Sequence, residues 1–278
     1  MNETAAAQTE AKVALVTGGS RGIGCAIVDR FLAEGWRVYA AARNPPAAAP
    51  GLTPLTLDIG NADSCAAAIA TVARHGRLDA LINNAAIYRY GTCEELDDRA
   101  WQDLMAVNLF GPMRLTRLAL PLLRRRGGTV VMLSSLSAHA GLPGDGAYAA
   151  SKFALAGASE SLSYEVAPFG VRVVLVEPGA VATEFVESPA APMHPDYARL
   201  HSMLRAGARE PHGMAPAEVA QTVWSAVADD APDFRIAAGA QAQAVKTRLE
   251  GLAGAARRDW IVENLGFREW IDNAGKGR

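Results

Sequence analysis

The feature that most limits the fold of this chain is a strand, a glycine-rich turn and a helix in direct succession. Residues 12–17 form a short apolar run, residues 18–24 read Gly-Gly-Ser-Arg-Gly-Ile-Gly, and apolar residues at helical spacing follow as far as Gly35. In such a unit the glycines let a pyrophosphate approach the backbone, and the helix N-terminus adds amide hydrogens and a positive dipole end. The unit predicts an α/β domain that binds a dinucleotide. The glycine spacing is not the commoner Gly-x-Gly-x-x-Gly, so a simple glycine-rich turn is the alternative.

A second region carries groups that suit acid–base chemistry. Tyr148 and Lys152 are four residues apart, so a helix that begins near Tyr148 places both on one face. An ammonium group beside a phenol favours the phenolate, which makes the phenol a useful proton donor or acceptor near neutrality. Ser135 follows residues 128–133, which are predicted to be a buried strand, and ligand sites in open α/β sheets lie at such strand ends. We expect the loop at residues 140–147 to bring Ser135 near Tyr148. The alternative is an ordinary surface pair on a helix.

Composition excludes several other classes of function. The net charge is −2 with no long run of one sign, so we expect no nucleic-acid partner. No apolar run is long enough to cross a bilayer, and residues 1–10 have no basic or apolar stretch typical of a signal peptide, so we expect no membrane partner. The three cysteines and five histidines show no metal-ligand spacing. We therefore expect no metal site, reduced thiols, a cytoplasmic location, and histidines that are surface or pocket residues.

The two regions together resemble the short-chain dehydrogenase/reductase family, over about residues 12–240. Residues 17–24 are similar to its TGxxxGIG loop, and Ser135, Tyr148 and Lys152 are similar to its active site. The resemblance implies that Ser135 bonds the substrate oxygen, Tyr148 transfers a proton, and Lys152 assists Tyr148 and holds the cofactor ribose. It also implies that Asn108 holds a water that links the lysine to solvent. Asparagine is slightly unfavourable within a helix such as the one predicted through residues 101–107, so a kink or a buried amide bonded to backbone is the alternative. Residues 234–236 also look similar to hydroxysteroid dehydrogenases.

The resemblance further implies a set of cofactor contacts, which lie in the glycine loop, after the third, fourth and sixth strands, and at the Tyr148–Lys152 pair. They are Gly18, Ser20, Arg21, Gly22, Ile23, Gly24, Asp58, Ile59, Asn84, Ala85, Ala86, Tyr148, Lys152, Pro178, Gly179, Val181 and Thr183. Ala86 departs from the family's NNAG, in which the fourth residue is glycine. Its methyl group is expected to tighten the pocket or shift the local backbone.

The end of the second strand selects between the two nicotinamide dinucleotides. NAD-binding versions place Asp or Glu there for the ribose 2′-hydroxyl, whereas residues 36–42 end in Ala42, followed by Arg43. A carboxylate at this point would repel a 2′-phosphate by roughly 4 kcal/mol per charge pair at 4 Å and an effective dielectric of 20. Its absence, with Arg43 and Arg21 as phosphate-binding cations, favours NADP(H). The alternative is that Arg43 is a solvated loop residue.

Patterns along the chain predict the fold class. We expect a single-domain, doubly wound (Rossmann) parallel sheet of about seven strands with helices on both faces, over residues 11–278 and after a mobile tail at residues 1–10. The third strand is expected at residues 55–59, after a Pro/Ala-rich turn at residues 44–54.

Residues 185–213 are expected to be an irregular insertion that acts as a substrate lid. The segment follows Thr183, and it is too long and too apolar for a solvated linker. Its residues at helical spacing, which suit one short amphipathic helix, are Tyr197, Leu200, His201 and Leu204. The alternative is that this face packs on the protein core.

The helix after Tyr148 carries small side chains on one face, and they suggest assembly. Ala149, Ala154, Gly157 and Ala158 permit close packing, so we expect a homodimer or homotetramer. The alternative is that these residues pack on the sheet of their own subunit.

These observations predict an enzyme, an NADP(H)-dependent oxidoreductase that transfers hydride between the nicotinamide and a small-molecule carbonyl or secondary alcohol, chiefly as ketone reduction. Another reaction on the same scaffold, such as dehydration, epimerisation or enoyl reduction, is the alternative enzyme. A non-catalytic NADP(H)-sensing protein is the alternative of a different class. A sensor needs only the glycine loop and Arg43, so the complete catalytic set argues against it.

Overall fold

A parallel sheet forms the centre of the molecule. A computed structural model of the protein describes residues 11–183, 185, 193–208, 213–230, 232–264 and 266–273, and within them seven strands form one sheet. The strands are β1 (Val13–Thr17), β2 (Arg37–Ala42), β3 (Leu52–Thr56), β4 (Ala80–Asn83), β5 (Thr129–Leu133), β6 (Arg172–Pro178) and β7 (Arg235–Ala238). Their order is β3-β2-β1-β4-β5-β6-β7 with parallel neighbours, which confirms the predicted fold class. The direction of the strand order reverses between β1 and β4. In open α/β sheets, ligands bind at such a switch point.

The central strands are buried on both faces, and their sequences explain why. All five residues of β1 and all five of β5 are buried. Val13 and Leu15 pack into one hydrophobic cluster, while Ala14 and Val16 pack into the other on the opposite face. Continuous apolar runs of this kind are typical of a parallel sheet covered by helices on both sides.

Helices cover the two faces. The described helices are α1 (Gly22–Ala33), α2 (Ala62–Arg74), α3 (Asp98–Met105), α4 (Gly111–Leu123), α5 (Gly146–Val166), α6 (Ala198–Ala208), α7 (Pro216–Ala228), α8 (Ala240–Glu250), α9 (Gly254–Asn264) and α10 (Arg268–Asn273). Buried residues of α1 and α7 join the cluster on one face, and those of α2, α4 and α5 join the cluster on the other. None of the described helices has both the length and the apolar character that crossing a membrane requires.

The position predicted for the third strand is wrong by three residues. The strand is Leu52–Thr56, not residues 55–59, and it includes Pro54, which faces Ala40 of β2. Proline interrupts a central strand because it lacks a backbone N–H, but β3 is at the edge of the sheet, where that hydrogen bond is not needed. The earlier strand end leaves Asp58 and Ile59 in the loop that follows it.

The helix predicted through residues 101–107 continues as a distorted turn. After α3, residues Ala106–Phe110 form a π-helical turn, and α4 begins at Gly111. A side chain at Gly111 would place its Cβ 2.6 Å from the carbonyl oxygen of Ile59, so the chain passes very close to the neighbouring loop here. Single π turns are often found at functional sites, and this one contains Asn108.

The segment at residues 185–213 is not irregular throughout. Residues Pro195–Tyr197 form a short 3₁₀ turn that leads into α6, as the helical spacing of Tyr197, Leu200, His201 and Leu204 indicated. Leu200 is buried against Val262 and Phe267 of the C-terminal region. Residues 186–192 and 209–212 of this segment, residue 184 just before it, and the tail at residues 1–10 lie outside the described residues.

Candidate active site

The predicted site residues gather at the carboxyl ends of four central strands. Gly18 follows β1, Asn84 follows β4, and Gly179 follows β6, while Ser135 comes two residues after the end of β5. Parallel strands end on the same edge of their sheet, so these positions share one crevice.

Three glycines of the loop, Gly18, Gly22 and Gly24, occupy positions that disfavour a side chain. Gly18 and Gly22 have φ angles of 66° and 53°, a region that L side chains rarely adopt. A Cβ at Gly24 would lie 2.0 Å from the carbonyl oxygen of Gly18 and 2.6 Å from Nδ2 of Asn84. The loop therefore holds the N-terminus of α1 against the end of β1, which is the backbone cradle that a dinucleotide pyrophosphate requires. The glycine loop therefore fits a dinucleotide cofactor.

Thr17 and Asn84 join the glycine loop to the end of β4. The Thr17 hydroxyl donates to the carbonyl oxygen of Ile82 at 3.3 Å and accepts from the backbone N–H groups of Asn84 and Ala85, each at 3.0 Å. The Asn84 amide donates in return to the carbonyl oxygen of Thr17 at 2.8 Å. The backbone at Ala86 does not enter the positive-φ region, so the position does not require the glycine found in the family.

The candidates for the phosphate end of the cofactor lie on the surface. Arg43 is exposed beside Ala42, and Arg21 is exposed at the N-cap of α1, where its side chain makes no capping bond. Asp58 uses one carboxylate oxygen to accept from the backbone N–H of Gly60 at 3.0 Å, which fixes the loop after β3.

Lys152 is fully buried and is held by the end of β5. Its Nζ donates to the carbonyl oxygen of Leu133 at 2.8 Å and lies 5.5 Å from the centre of the Tyr148 ring. Burial lowers the pKa of Lys152 from its ordinary value of 10.5 to about 8. Tyr148 contacts Tyr88 edge to face with ring centres 5.0 Å apart, and Phe185 at 6.4 Å.

Ser135 lies in a turn that two bonds tie to α5. Its Oγ accepts from the backbone N–H of Ser137 at 3.1 Å, and Ser137 Oγ donates to Asp145 at 2.9 Å, at the start of α5. The Lys152–Leu133 bond connects the same helix to the chain just before Ser135. The chain thus folds back after Ser135. Hydrogen bonds on either side of Ser135, from Ser137 to Asp145 and from Lys152 to Leu133, join its segment to the helix that carries Tyr148.

Asn108 is buried and uses its amide to bridge two segments. The amide oxygen accepts from the backbone N–H of Ile87 at 2.9 Å, and the amide nitrogen donates to the carbonyl oxygen of Ile87 at 2.8 Å and to Ser151 Oγ at 3.1 Å. Ser151 donates in turn to the carbonyl oxygen of Tyr148 at 2.7 Å. Asn108 in the π turn thus connects the backbone at Ile87 to the beginning of α5. Its amide is bonded to backbone, which is one of the alternatives to a water-holding role.

The segment after β6 reaches the glycine loop. A Cβ at Gly22 would lie 3.3 Å from Cγ2 of Thr183, and one at Gly179 would lie 3.5 Å from Leu136 in the Ser135 turn. Val181 pairs with Met214 in an isolated parallel bridge. Thr183 therefore lies close to the glycine loop, and Gly179 lies close to the turn that carries Ser135.

The structure reveals three buried carboxylates near the site that the sequence analysis did not identify. Glu177, at the end of β6, accepts from His139 at 2.9 Å and from Arg235. Burial alone would raise the pKa of Glu177, but these two partners outweigh it and lower the pKa. A glutamate in the apolar run of β6 was the available signal.

The second buried carboxylate, Glu95, fixes α6 to the loop after β4. It bonds His201 at 2.7 Å and accepts from the N–H groups of Thr92 and His194, and His201 also bonds the hydroxyl of Tyr90. Burial acts to raise the pKa of Glu95, but these bonds lower it to about 2. His139 and His201 are therefore buried structural partners and not surface residues.

Asp145 is the third carboxylate. No group of three or more side chains suited to a metal ion is present in the described part of the chain.

The whole chain is similar to proteins of one family. The model for the short chain dehydrogenases matches residues 12–193. A 3-ketodihydrosphingosine reductase of Bacteroides thetaiotaomicron is 30% identical over 262 residues, which are 91% of this chain and 94% of that protein. A short-chain dehydrogenase from Streptomyces avermitilis superposes with a TM-score of 0.78 at 35% identity, covering 98% of this chain and 99% of the other. A second, from Burkholderia cenocepacia in complex with NADP, has a TM-score of 0.74 at 30% identity and covers 92% and 98%. The fold, the arrangement of the crevice and these similarities together establish that the chain belongs to the short-chain dehydrogenase family of nicotinamide-dependent oxidoreductases.

Proposed function

We propose that the protein is an NADP(H)-dependent carbonyl reductase or alcohol dehydrogenase, with ketone reduction as the favoured direction. The observation that carries the proposal is the buried Lys152 ammonium, bonded to the end of β5 beside the Tyr148 ring and next to the Ser135 turn. Burying a lysine ammonium is costly even when it bonds a carbonyl oxygen, so its position calls for a functional explanation. The keto-reductase name of the Bacteroides relative supports the proposed direction.

Each residue of the set has a separate role in the proposed mechanism. The bound cofactor supplies the hydride. Tyr148 gives its proton to the substrate oxygen, and Ser135 donates a hydrogen bond to the same oxygen. The Ser135 hydroxyl can do so because its oxygen accepts from Ser137, which leaves its own hydrogen available. Lys152 stabilises the ionised phenol and holds the ribose, and Asn108 positions the water that connects Lys152 with solvent.

The choice of NADP(H) is supported by the end of β2. Ala42 brings no carboxylate to the place where a ribose 2′-phosphate is expected, and Arg43 is exposed beside it. The glycine loop, Asp58, Ile59, Asn84, Ala85 and the segment from Pro178 to Thr183 are proposed to hold the remainder of the cofactor. Residues 11–278 are proposed to act as one dinucleotide-binding and catalytic domain in the cytoplasm.

A panel of ketones, aldehydes and alcohols, followed by the absorbance of NADPH, tests this function. Ketone-dependent loss of NADPH is the expected result. NADPH binding without turnover of any carbonyl compound or alcohol would favour the sensing alternative. Turnover of enoyl or dehydration substrates alone would favour another reaction on the same scaffold.

We also propose that residues 185–213 cover the substrate. Phe185 lies against Tyr148 and Tyr88, and Leu204 lies near the loop at Gly144. Hydrogen exchange of α6 is therefore expected to slow when NADPH and a substrate bind, because a closed lid excludes water. Unchanged exchange in α6, together with unchanged substrate preference after substitution of Leu204, would show that this helix only packs on the core.

A homodimer or homotetramer is proposed from the outer face of α5 and the turns before α4 and after α5. Large exposed residues there are Phe110, Phe153, Tyr164 and Phe169, and exposed apolar patches mark interfaces. Ala149 is buried within its own subunit, whereas Gly157 is exposed. Light scattering at micromolar concentration is expected to give two or four times the subunit mass of 29.2 kDa. Substituting Phe153 and Tyr164 with serine should reduce that mass, and a wild-type monomer would contradict the proposal.

A further inference from the structure

Glu177 is a fully buried glutamate near the carboxyl end of β6, and stability alone does not explain it. Its carboxylate lies 2.9 Å from Nε2 of His139 and accepts from Nε of Arg235 at 3.2 and 3.3 Å. The residues of β6 between Arg172 and Glu177 are all apolar. A buried ion pair usually stabilises a fold no better than apolar residues of the same size, so a glutamate in this strand calls for another explanation.

The bond between Glu177 and His139 joins two segments of the candidate site. One segment is the 3₁₀ turn that carries Ser135, in which Ser135 is the N-cap residue and His139 is the C-cap residue. The other segment begins directly after Glu177. A Cβ at Gly179 in that segment would lie 3.5 Å from Leu136, so the two segments also touch beyond the bond.

The two segments are proposed to hold the two partners of the reaction. Residues 178–183 belong to the proposed cofactor contacts, and Ser135 is proposed to bond the oxygen of the substrate carbonyl. Hydride transfer requires the nicotinamide beside that carbonyl, and Gly179 is the cofactor contact that touches the Ser135 turn. The spacing of the two segments therefore sets the distance between the reacting carbons, and a misplacement of about 1 Å can lower a rate roughly 100-fold.

We infer that Glu177 is a positioning residue: through its bond to His139 it fixes the nicotinamide end of the cofactor relative to the Ser135 turn. The inference rests on the proposed function. The Glu177 side chain has no exposed surface, so it acts through His139 and through the backbone that follows it, without touching a ligand. Loss of the bond is expected to disturb the nicotinamide and to leave the rest of the cofactor in place.

Two ligands that differ only by the nicotinamide test the inference without turnover. NADPH and 2′-phospho-ADP-ribose share every other group, so the ratio of their dissociation constants measures what the nicotinamide contributes to binding. Glu177→Gln removes the charge at nearly constant shape and is expected to reduce that contribution by about fivefold or more. The dissociation constant of 2′-phospho-ADP-ribose should change by less than about threefold. Calorimetric titration supplies both constants, and NADH with ADP-ribose replaces the pair if the protein prefers NADH.

Turnover of an accepted ketone gives a second readout. In Glu177→Gln, kcat is expected to fall roughly 10- to 100-fold while the KM for the ketone changes little, because the reacting carbons are no longer held at the productive distance. His139→Leu removes the partner of Glu177 and should reproduce both effects. His139→Gln keeps a donor for Glu177 and should retain most of kcat. The two histidine variants provide the same comparison if Glu177→Gln does not fold.

Asp79→Asn is the matched control for the loss of a bonded carboxylate. Asp79 accepts from the backbone N–H of Val13 at 2.8 Å and from Arg77 at 2.6 Å, at the amino ends of β1 and β4 and thus at the opposite end of the sheet from the site. The variant should lower the melting temperature, and it should leave the nicotinamide contribution and kcat unchanged.

The results distinguish failure of the inference from failure of the proposed function. Loss of the nicotinamide contribution in Glu177→Gln, with no turnover of any carbonyl compound or alcohol by the wild-type protein, would contradict the function and support the inference. With a wild-type protein that reduces ketones, an unchanged nicotinamide contribution or an unchanged kcat in Glu177→Gln would overturn the inference and leave the function intact. Equal weakening of both ligands in the variant, or equal affinities of the wild-type protein for both, would also overturn the inference.

Discussion

Replacing Tyr148 with phenylalanine is expected to lower kcat by roughly 100- to 10,000-fold, the usual contribution of a general acid. NADPH affinity should change by less than about threefold, because the phenyl ring keeps its contacts with Tyr88 and Phe185 and only the hydroxyl is lost. Absorbance measurements on an accepted ketone, with a fluorescence titration of NADPH, would check both parts.

Tyr88→Phe is the matched control, since it removes a phenol oxygen from the ring that packs against Tyr148. This variant should retain turnover. Normal turnover in Tyr148→Phe would remove Tyr148 from the acid–base role, and loss of NADPH binding in the same variant would point to a collapsed site.

The second large effect is expected at the end of β2. Wild-type protein should bind NADPH at least about tenfold more tightly than NADH, a difference of about 1.4 kcal/mol. Ala42→Asp should weaken NADPH binding by up to roughly 1,000-fold, since a carboxylate about 4 Å from a phosphate charge costs about 4 kcal/mol at an effective dielectric of 20. NADH affinity should be maintained or improved, because aspartate accepts from a ribose hydroxyl. Fluorescence titrations with both dinucleotides provide the measurement.

Ala42→Asn separates charge from size in this experiment. Asparagine has nearly the shape of aspartate, so it should reproduce only the small steric part of the loss. Equal or reversed affinities of the wild-type protein for the two dinucleotides would refute the choice of NADP(H), and equal effects of the two variants would refute its electrostatic explanation.

Local spacing explains which features the sequence could predict. The glycine loop and the Tyr148–Lys152 pair depend on residues within one turn of each other, so their arrangement follows from helix and turn geometry. The position of β3 could not be predicted in this way, because Pro54 is tolerated only at a sheet edge and the strand order is a property of the whole fold.

Local sequence patterns also could not predict the features that residues distant in the sequence form together. The Tyr90–His201 and His201–Glu95 bonds join residues 111 and 106 positions apart. The π turn at Asn108 lies where the chain passes close to the loop at Ile59, and no local spacing indicates it. Oδ1 of Asp145 is buried with no hydrogen-bond partner among the described residues, and sequence spacing carries no information on which groups surround a buried atom.

The bond between Lys152 and Leu133 has a consequence for the order in which the crevice assembles during folding. It closes a segment of 19 residues, whereas the bond between Asn84 and Thr17 closes one of 67. For flexible loops this difference in length corresponds to about 1 kcal/mol of chain entropy in favour of the shorter closure. We therefore expect this contact between the end of β5 and α5, which has a low contact order, to be available early in folding. The glycine loop requires the long-range pairing of β1 with β4, and we expect it to form at a later stage.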